Sequence, residues 1–136
     1  MKLTGRLLLF DKKDLNNTIF PNNCEIFIPE KCPVLMEYRM EEPSDCIGVA
    51  TVKKDDKGLV CDLDTWKFEP EQMRSVFNDE IYVGGFYKNV ESHNQDGVRV
   101  IDKMMLRAVS ITLLPADREL KVKIVEDEKE NNNDQT

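Results

Sequence analysis

Short apolar runs separated by turn residues dominate the first third of the chain, and three of them have the spacing of β-strands. Their apolar side chains either cluster or recur at every second position, which is the period of a strand with one buried face. Pro29 closes the second run, since proline cannot donate a hydrogen bond to a sheet. The strands predicted here are residues 2–10, 24–28 and 34–40.

The clearest hairpin signal lies just before the middle of the chain. Residues 47–52 and 59–63 are β-rich runs, and they flank the turn sequence Asp-Asp-Lys-Gly at residues 55–58. Paired aspartates are also found in calcium loops, but the regular acid spacing of an EF-hand is absent. We therefore predict an antiparallel hairpin whose acids serve the turn.

One convincing helix is predicted, over residues 69–78. Pro70 suits the first helical turn, where its missing N–H removes no helical hydrogen bond, and acids crowd this positive end of the helix dipole. Met73, Val76 and Phe77 recur at i, i+3 and i+4, which gives the helix one apolar face. That face is expected to pack on the rest of the protein.

The remaining apolar runs add strands and decide the fold class. Residues 81–87 and 97–107 are predicted strands around a polar loop at 89–96, and residues 109–114 and 120–125 add two more. The chain thus has about eight or nine short strands, one helix and no βαβ alternation. This pattern predicts a mainly β protein with minor α content (α+β), a small closed or nearly closed β-barrel with one or two helices packed on it.

Size and charge limit the classes of function. The 136 residues suit one domain, predicted over residues 1–125, followed by an acidic polar tail over residues 126–136 that is expected to be flexible. A formal charge of −7 argues against binding to a nucleic-acid backbone. No apolar run approaches the roughly 20 residues of a membrane-spanning helix. The N-terminus lacks the pattern of a signal peptide, so we expect an intracellular protein with no membrane partner.

Cysteines and acids predict no metal or cofactor site. The cysteines form no Cys-x-x-Cys pair, so reduced, partly buried thiols are favoured over zinc ligands or disulfides. Asp62 and Asp64 alternate along a predicted strand and point to one side, but a third ligand is not evident and a charged outer face is favoured. We predict no metal and no cofactor. The cysteines are Cys24, Cys32, Cys46 and Cys61.

The most specific motif is Leu-Arg-Ala-Val-Ser-Ile-Thr-Leu-Leu-Pro-Ala at residues 106–116. It resembles the phage prohead (capsid-maturation) protease pattern L-x-E-V-S-x-V-x-x-P-A, in register and without gaps. Three further segments follow the order of that family's motifs: I-G-x-A at residues 47–50, K-G-L at 57–59, and Val-Gly-Gly-Phe at 83–86, in the place of the family's S-x-G-F. The similarity spans about residues 34–117, and its strength lies in the order of short motifs.

The resemblance implies a barrel like that of herpesvirus assemblin and a place in capsid assembly. Catalysis in this family needs a serine nucleophile, a histidine base and a group that orients the histidine. Val83 stands at the serine position and Ala108 at the acid position. The single histidine, His93, lies far from the stretch at residues 37–42 where the base is expected. The chain therefore resembles an inactive member of the family.

A binding cleft is expected to remain where the protease would hold its substrate. The glycine pair allows another backbone to approach closely, and mixed charges occupy the place of the missing histidine. The candidate cleft residues are Glu37, Tyr38, Arg39, Gly84, Gly85, Phe86 and Ser110. The expected partner is a capsid or scaffold polypeptide in the cytoplasm of a bacterial host cell or in its procapsids. Homo-oligomerisation stays open, since a free barrel edge often ends in a dimer.

Two alternatives stand beside the non-catalytic interpretation. The first is an active serine hydrolase with a relocated site that uses Ser110 or Ser92 with His93. Against it, the motif favours a scaffold role for Ser110, and His93 lies in a polar stretch typical of a lone surface histidine or a pH-sensitive contact. The second is a small binding barrel unrelated to the proteases. Strand connections that differ from those of the assemblin barrel would favour this alternative.

Overall fold

The structure is a computed structural model, and it describes residues 1–78 and 80–125. Nine strands, one α-helix and one short 3₁₀-helix at Pro43–Asp45 make up the regular structure of these residues. In chain order the elements are β1 (Lys2–Leu9), β2 (Thr18–Ile19), β3 (Glu25–Phe27), β4 (Cys32–Met36), β5 (Gly48–Lys54), β6 (Gly58–Thr65), α1 (Pro70–Phe77), β7 (Ile81–Gln95), β8 (Val98–Thr112) and β9 (Lys121–Ile124).

Seven of the strands close into a barrel. Neighbouring strands follow the order β8-β4-β5-β6-β1-β9-β7, and β7 pairs with β8 to complete the ring. The two remaining strands, β2 and β3, pair in parallel with β8. Each strand of a closed ring pairs on both sides, so the ring has no free edge there. The ring encloses one apolar core. The predicted fold class, a small β-barrel with a packed helix, is confirmed.

Side-chain alternation along β6 shows why the barrel forms. Leu59, Cys61 and Leu63 are buried in the core, whereas Asp62 and Asp64 between and beyond them are exposed. Successive side chains of a strand point to opposite faces, so this alternation gives one apolar and one charged face. The β5–β6 hairpin is the one predicted from sequence, with Gly48 paired to Thr65 and Lys54 to Leu59.

The helix is also confirmed, although one residue of its predicted apolar face lies outside the core. The backbone N–H of Glu69 donates to the Gln72 side chain at 2.9 Å, which caps the first turn, and Asn78 ends the helix in the left-handed region. Met73 and Phe77 belong to the hydrophobic core. Val76 is 59% exposed.

The prediction of a polar loop at residues 89–96 is wrong. β7 continues to Gln95 and pairs with β8 along almost its whole length, and the turn consists of Asp96 and Gly97, both with positive φ. Asp-Gly is a typical two-residue hairpin turn. The polar side chains before it are mostly exposed, so polarity here marks a solvent-exposed ribbon. The predicted strands at 97–107 and 109–114 are one continuous strand, β8, which ends at Thr112.

The predicted strand at residues 34–40 ends early, at Met36. Glu37 and Tyr38 follow with φ values of 53° and 60°, both in the left-handed region, and the Arg39 N–H donates to the Met36 carbonyl at 3.2 Å. Two successive residues in this region make a tight turn that a strand cannot contain.

The cysteine prediction agrees with the structure. All four thiols are free, and Cys24, Cys32 and Cys61 are buried. Burial raises the pKa of Cys32 to about 11 and that of Cys61 to about 12. At neutral pH these two side chains are protonated and behave as small apolar residues of the core.

Two further predictions concern the membrane and the tail. Among the described helices, neither has the length and hydropathy needed to cross a bilayer. The predicted flexible tail, residues 126–136, lies outside the described residues.

Candidate functional site

A tight turn after β4 lies across the end of β8, and three hydrogen bonds hold it there. The N–H of Glu37 donates to the carbonyl of Ile111 at 2.8 Å, and the N–H of Tyr38 donates to Ser110 Oγ at 2.8 Å. The Glu37 carboxylate accepts from the N–H of Leu113 at 2.7 Å. Left-handed backbone at residues with a side chain is unfavourable, so it persists only where contacts of this kind impose it.

The Tyr38 side chain reaches from this turn to β7. Gly84 pairs with Ser110 in the β7–β8 register, so both residues present the same face of the sheet. The Tyr38 hydroxyl occupies the position at which a Cβ on Gly84 would lie. Burial, and to a lesser degree the neighbouring Glu37 carboxylate, raises the pKa of the Tyr38 phenol.

The second glycine is filled from the other side of the strand. The Tyr87 ring occupies the position of a Cβ on Gly85, and it packs against the core with its centroid 5.2 Å from that of Phe20. Within the part of the chain that the structure describes, the buried Tyr87 hydroxyl has no hydrogen-bond partner. Burial raises its pKa far above the usual range. Both glycines therefore make room for a tyrosine ring, one on each face of β7.

The family's nucleophile and acid positions hold buried apolar side chains, and the alternative nucleophile Ser110 is hydrogen-bonded within the chain. Val83 and Ala108 are both 0% exposed, and Val83 belongs to the barrel core. Ser110 is also 0% exposed, and its hydroxyl accepts from Tyr38 and donates to the Ile111 carbonyl at 3.3 Å. A nucleophile must present a free oxygen to a substrate, and Ser110 does not.

His93 contacts an acidic residue, whereas its sequence context is typical of a lone surface histidine or a pH-sensitive contact. It lies on β7, and its Nδ1 is 2.7 Å from a carboxylate oxygen of Asp102 on β8. Ser92 pairs with the buried Ile101, so it faces the opposite side of the sheet from His93. Ser110 pairs with Gly84, about 30 Å along the strand from His93 at the usual rise per residue. Ser92 by its orientation and Ser110 by its distance are therefore not placed to transfer a proton to the imidazole.

The remaining cleft candidates point elsewhere. Arg39 turns toward the 3₁₀-helix and lies 3.4 Å from carboxylate oxygens of Glu41 and Asp45. Backbone hydrogen bonds from Glu42 and Glu41 lower the pKa of Asp45. Phe86 is half-buried and pairs with Ala108. The structure thus joins Glu37, Tyr38, Gly84 and Ser110 in one cluster and leaves the other candidates outside it.

An apolar groove lies directly beside the turn. It has a volume of about 670 Å³, with α1 as one wall and the ends of β4 and β8 as the other. Val76 on α1 is 59% exposed, and Leu113 after β8 is 52% exposed. Sequence reasoning missed this groove because Val76 was assigned to the buried face of the helix. The available signal was the exposed pair Leu113-Leu114, two apolar residues directly after a strand.

Residues 1–78 and 80–125 provide no candidate metal site. They contain no group of three or more His, Cys, Asp or Glu side chains placed to hold a metal ion. What this part of the molecule offers is a rigid turn beside an apolar groove, an arrangement suited to binding.

Comparison of the chain with protein-family models, with curated proteins and with solved structures finds no match.

Proposed function

We propose that the chain is a non-catalytic, prohead-protease-like protein of a phage or prophage that binds a capsid or scaffold polypeptide during capsid assembly. The ordered motifs between residues 34 and 117 support the relationship. The closed barrel is the fold expected from that resemblance, although many unrelated functions share small barrels. The setting that follows is the cytoplasm of a bacterial host and the procapsids formed there.

The observation that carries the non-catalytic part is the environment of Val83. This residue stands where the family has its nucleophile, and its side chain is fully buried in the barrel core. An isopropyl group cannot attack a carbonyl. Without the nucleophile and its base the rate of peptide hydrolysis falls by several orders of magnitude.

Binding of a polypeptide is supported by the surface beside the turn. The groove there is concave and mainly apolar, with exposed side chains at Val76 and Leu113. Concave apolar surface with a few fixed polar groups is typical of binding sites. The cleft proposed around Gly84 is occupied by Tyr38 of the chain itself, so the partner would bind beside it.

A hydrolase with a relocated site is the alternative, and one contact favours it. The contact between the Asp102 carboxylate and His93 Nδ1 resembles the one in which a carboxylate orients a catalytic histidine. Neither candidate serine among the described residues is placed to serve this pair, because Ser92 faces the opposite side of the sheet and Ser110 lies about 30 Å away along the strand. This alternative predicts that His93→Ala abolishes any hydrolysis the protein performs.

The proposal is tested by co-expressing the full chain with the capsid and scaffold polypeptides encoded beside it. We expect the chain to co-sediment with those polypeptides and leave them uncut, and to remain unlabelled by a serine-directed fluorophosphonate. Cleavage of a capsid precursor, or labelling, would overturn the non-catalytic part. A gene located away from portal and capsid genes, with no co-sedimentation, would overturn the assembly part.

A further inference from the structure

We infer that the groove between α1 and the ends of β4 and β8 binds a short segment of another polypeptide that carries apolar side chains next to lysine or arginine. This inference rests on the proposed function and names the site and the chemistry of the partner. The site differs from the cleft predicted from sequence, with which it shares only Glu37.

The floor of the groove supplies the apolar part. Met73 and Phe77 connect it to the barrel core, and Val76 and Leu113 stand on opposite walls with more than half of each side chain exposed. Single exposed apolar side chains are common on soluble proteins, but a concave cluster of them indicates a binding surface. A volume of about 670 Å³ accepts a few side chains, not the face of a folded domain.

The charge of the groove determines which residues can flank the apolar side chains of the bound segment. Among the described residues, two carboxylates line the groove, Glu37 on the turn and Glu71 on α1, and no lysine or arginine does. Negative charge beside a low-dielectric apolar wall produces a potential that attracts cations and repels acids. A segment with lysine or arginine next to its apolar side chains complements both properties.

The rim beside β8 is already organised for binding. The Glu37 carboxylate is held by the Leu113 N–H at 2.7 Å, and the turn that carries it is fixed to Ser110 and Ile111. A partner that binds here does not have to order this side of the groove, which lowers the entropic cost of association.

The same charges argue against two other occupants. A second copy of the chain brings a formal charge of −7, and a symmetric contact would place Glu71 of one copy near acids of the other. The chain's own segment 126–136 contains five acids against Lys129 and has no aliphatic or aromatic side chain. A different polypeptide is therefore the occupant that fits.

The experiment uses the full chain and three fluorescein-labelled ten-residue peptides of defined composition: leucine with lysine, leucine with glutamate, and serine with lysine. Fluorescence anisotropy measures Kd for each. We expect the leucine–lysine peptide to bind at least tenfold more tightly than either of the others. Val76→Asp and Leu113→Asp should each weaken that binding at least tenfold. Glu71→Lys should shift the preference toward the leucine–glutamate peptide.

Val90→Asp is the matched control. Val90 is an exposed valine of similar accessibility, 52%, on β7 away from the groove. It should leave peptide binding unchanged, which separates groove binding from general attraction of a basic peptide to an acidic protein. Equal loss of binding in the Val76 and Val90 variants, or no preference among the three peptides, overturns the inference.

A second measurement separates this inference from the proposed function. If the wild-type chain co-sediments with capsid or scaffold polypeptide and Val76→Asp does so equally well, the groove is not the site and the function stands. If the leucine–lysine peptide binds the groove but no capsid polypeptide co-sediments, the groove stands and the function falls. A dimer in sedimentation velocity that Val76→Asp dissociates would make a second copy the occupant and overturn the inference.

Discussion

The hydroxyl of Tyr38 lies where the side chain of Gly84 would begin. The contact joins a turn after β4 to the strand β7, and the Tyr38 N–H bonded to Ser110 Oγ fixes the approach. Gly84 has no positive φ, so the need for glycine at this position is one of space and not of backbone conformation.

Gly84→Ala should destabilise the protein by about 1–3 kcal/mol, because the new methyl group overlaps the Tyr38 hydroxyl and forces the ring aside. The obstacle is the far end of a side chain, so its removal should relieve the clash. In a Tyr38→Ala background the same glycine substitution should cost at least 0.5 kcal/mol less, a typical coupling between contacting residues. Urea denaturation of the four proteins of this cycle measures both effects, and additivity within error would contradict the contact.

Local signals in the sequence predicted the elements that depend on local chemistry. Asp-Asp-Lys-Gly predicted the β5–β6 turn, and Pro70 with the spacing of Met73 and Phe77 predicted α1. The β7–β8 ribbon was predicted too short, because its exposed polar side chains have the composition of a loop and only the Asp96–Gly97 turn shows where it ends.

The site was less accessible to sequence reasoning, for a physical reason. Tyr38 meets Gly84 only because β4 and β7 both pair with β8. Contacts of this kind depend on strand register across long separations, and no local pattern encodes them. The resemblance to prohead proteases grouped Tyr38, Gly84 and Ser110, but it did not indicate that the tyrosine fills the space above the glycine.

Asp55 should make stability depend on pH in the acid range. Its carboxylate accepts two hydrogen bonds from Arg6, at 2.7 and 2.9 Å, and others from the turn N–H groups of Lys57 and Gly58. The Arg6 hydrogen bonds, followed by those of the turn, lower the pKa of Asp55 to about 2. Because the folded pKa lies below the unfolded value of about 3.9, the stabilisation is present above pH 4 and is lost as pH falls toward 2.

Asp55→Asn tests this dependence. At pH 7 it should lower the free energy of unfolding by about 1 kcal/mol, a modest value because the ion pair is partly exposed to solvent. Wild type and variant should converge between pH 4 and pH 2 in urea titrations. A constant difference across that range would show that the charge of Asp55 does not contribute. Asp62→Asn, on the exposed face of β6, is the control and should give a smaller difference at pH 7.

Val83→Ser tests whether the family's nucleophile can be restored by one substitution. The new hydroxyl would lie in the apolar core, away from any imidazole, since His93 is at the far end of β7. We expect no labelling by a fluorophosphonate and a loss of about 1–3 kcal/mol of stability from burying a polar group. Val90→Ser, at an exposed position, should change stability by less than about 0.5 kcal/mol. Labelling of the Val83→Ser protein would mean that a base lies near this strand.

Tyr87→Phe should leave stability unchanged or raise it by about 1 kcal/mol. The Tyr87 hydroxyl is buried without a hydrogen-bond partner among the described residues, and an unpaired buried hydroxyl carries a desolvation cost that phenylalanine does not. The ring itself should stay in place, because it packs on Phe20 and over Gly85.

Tyr82→Phe is the comparison, since the exposed Tyr82 hydroxyl donates to Glu80 and its removal deletes a real bond. Urea denaturation at pH 7 ranks the two variants. A loss of more than 1 kcal/mol in Tyr87→Phe would show that the hydroxyl is bonded in solution, by a water or by a rearranged neighbour.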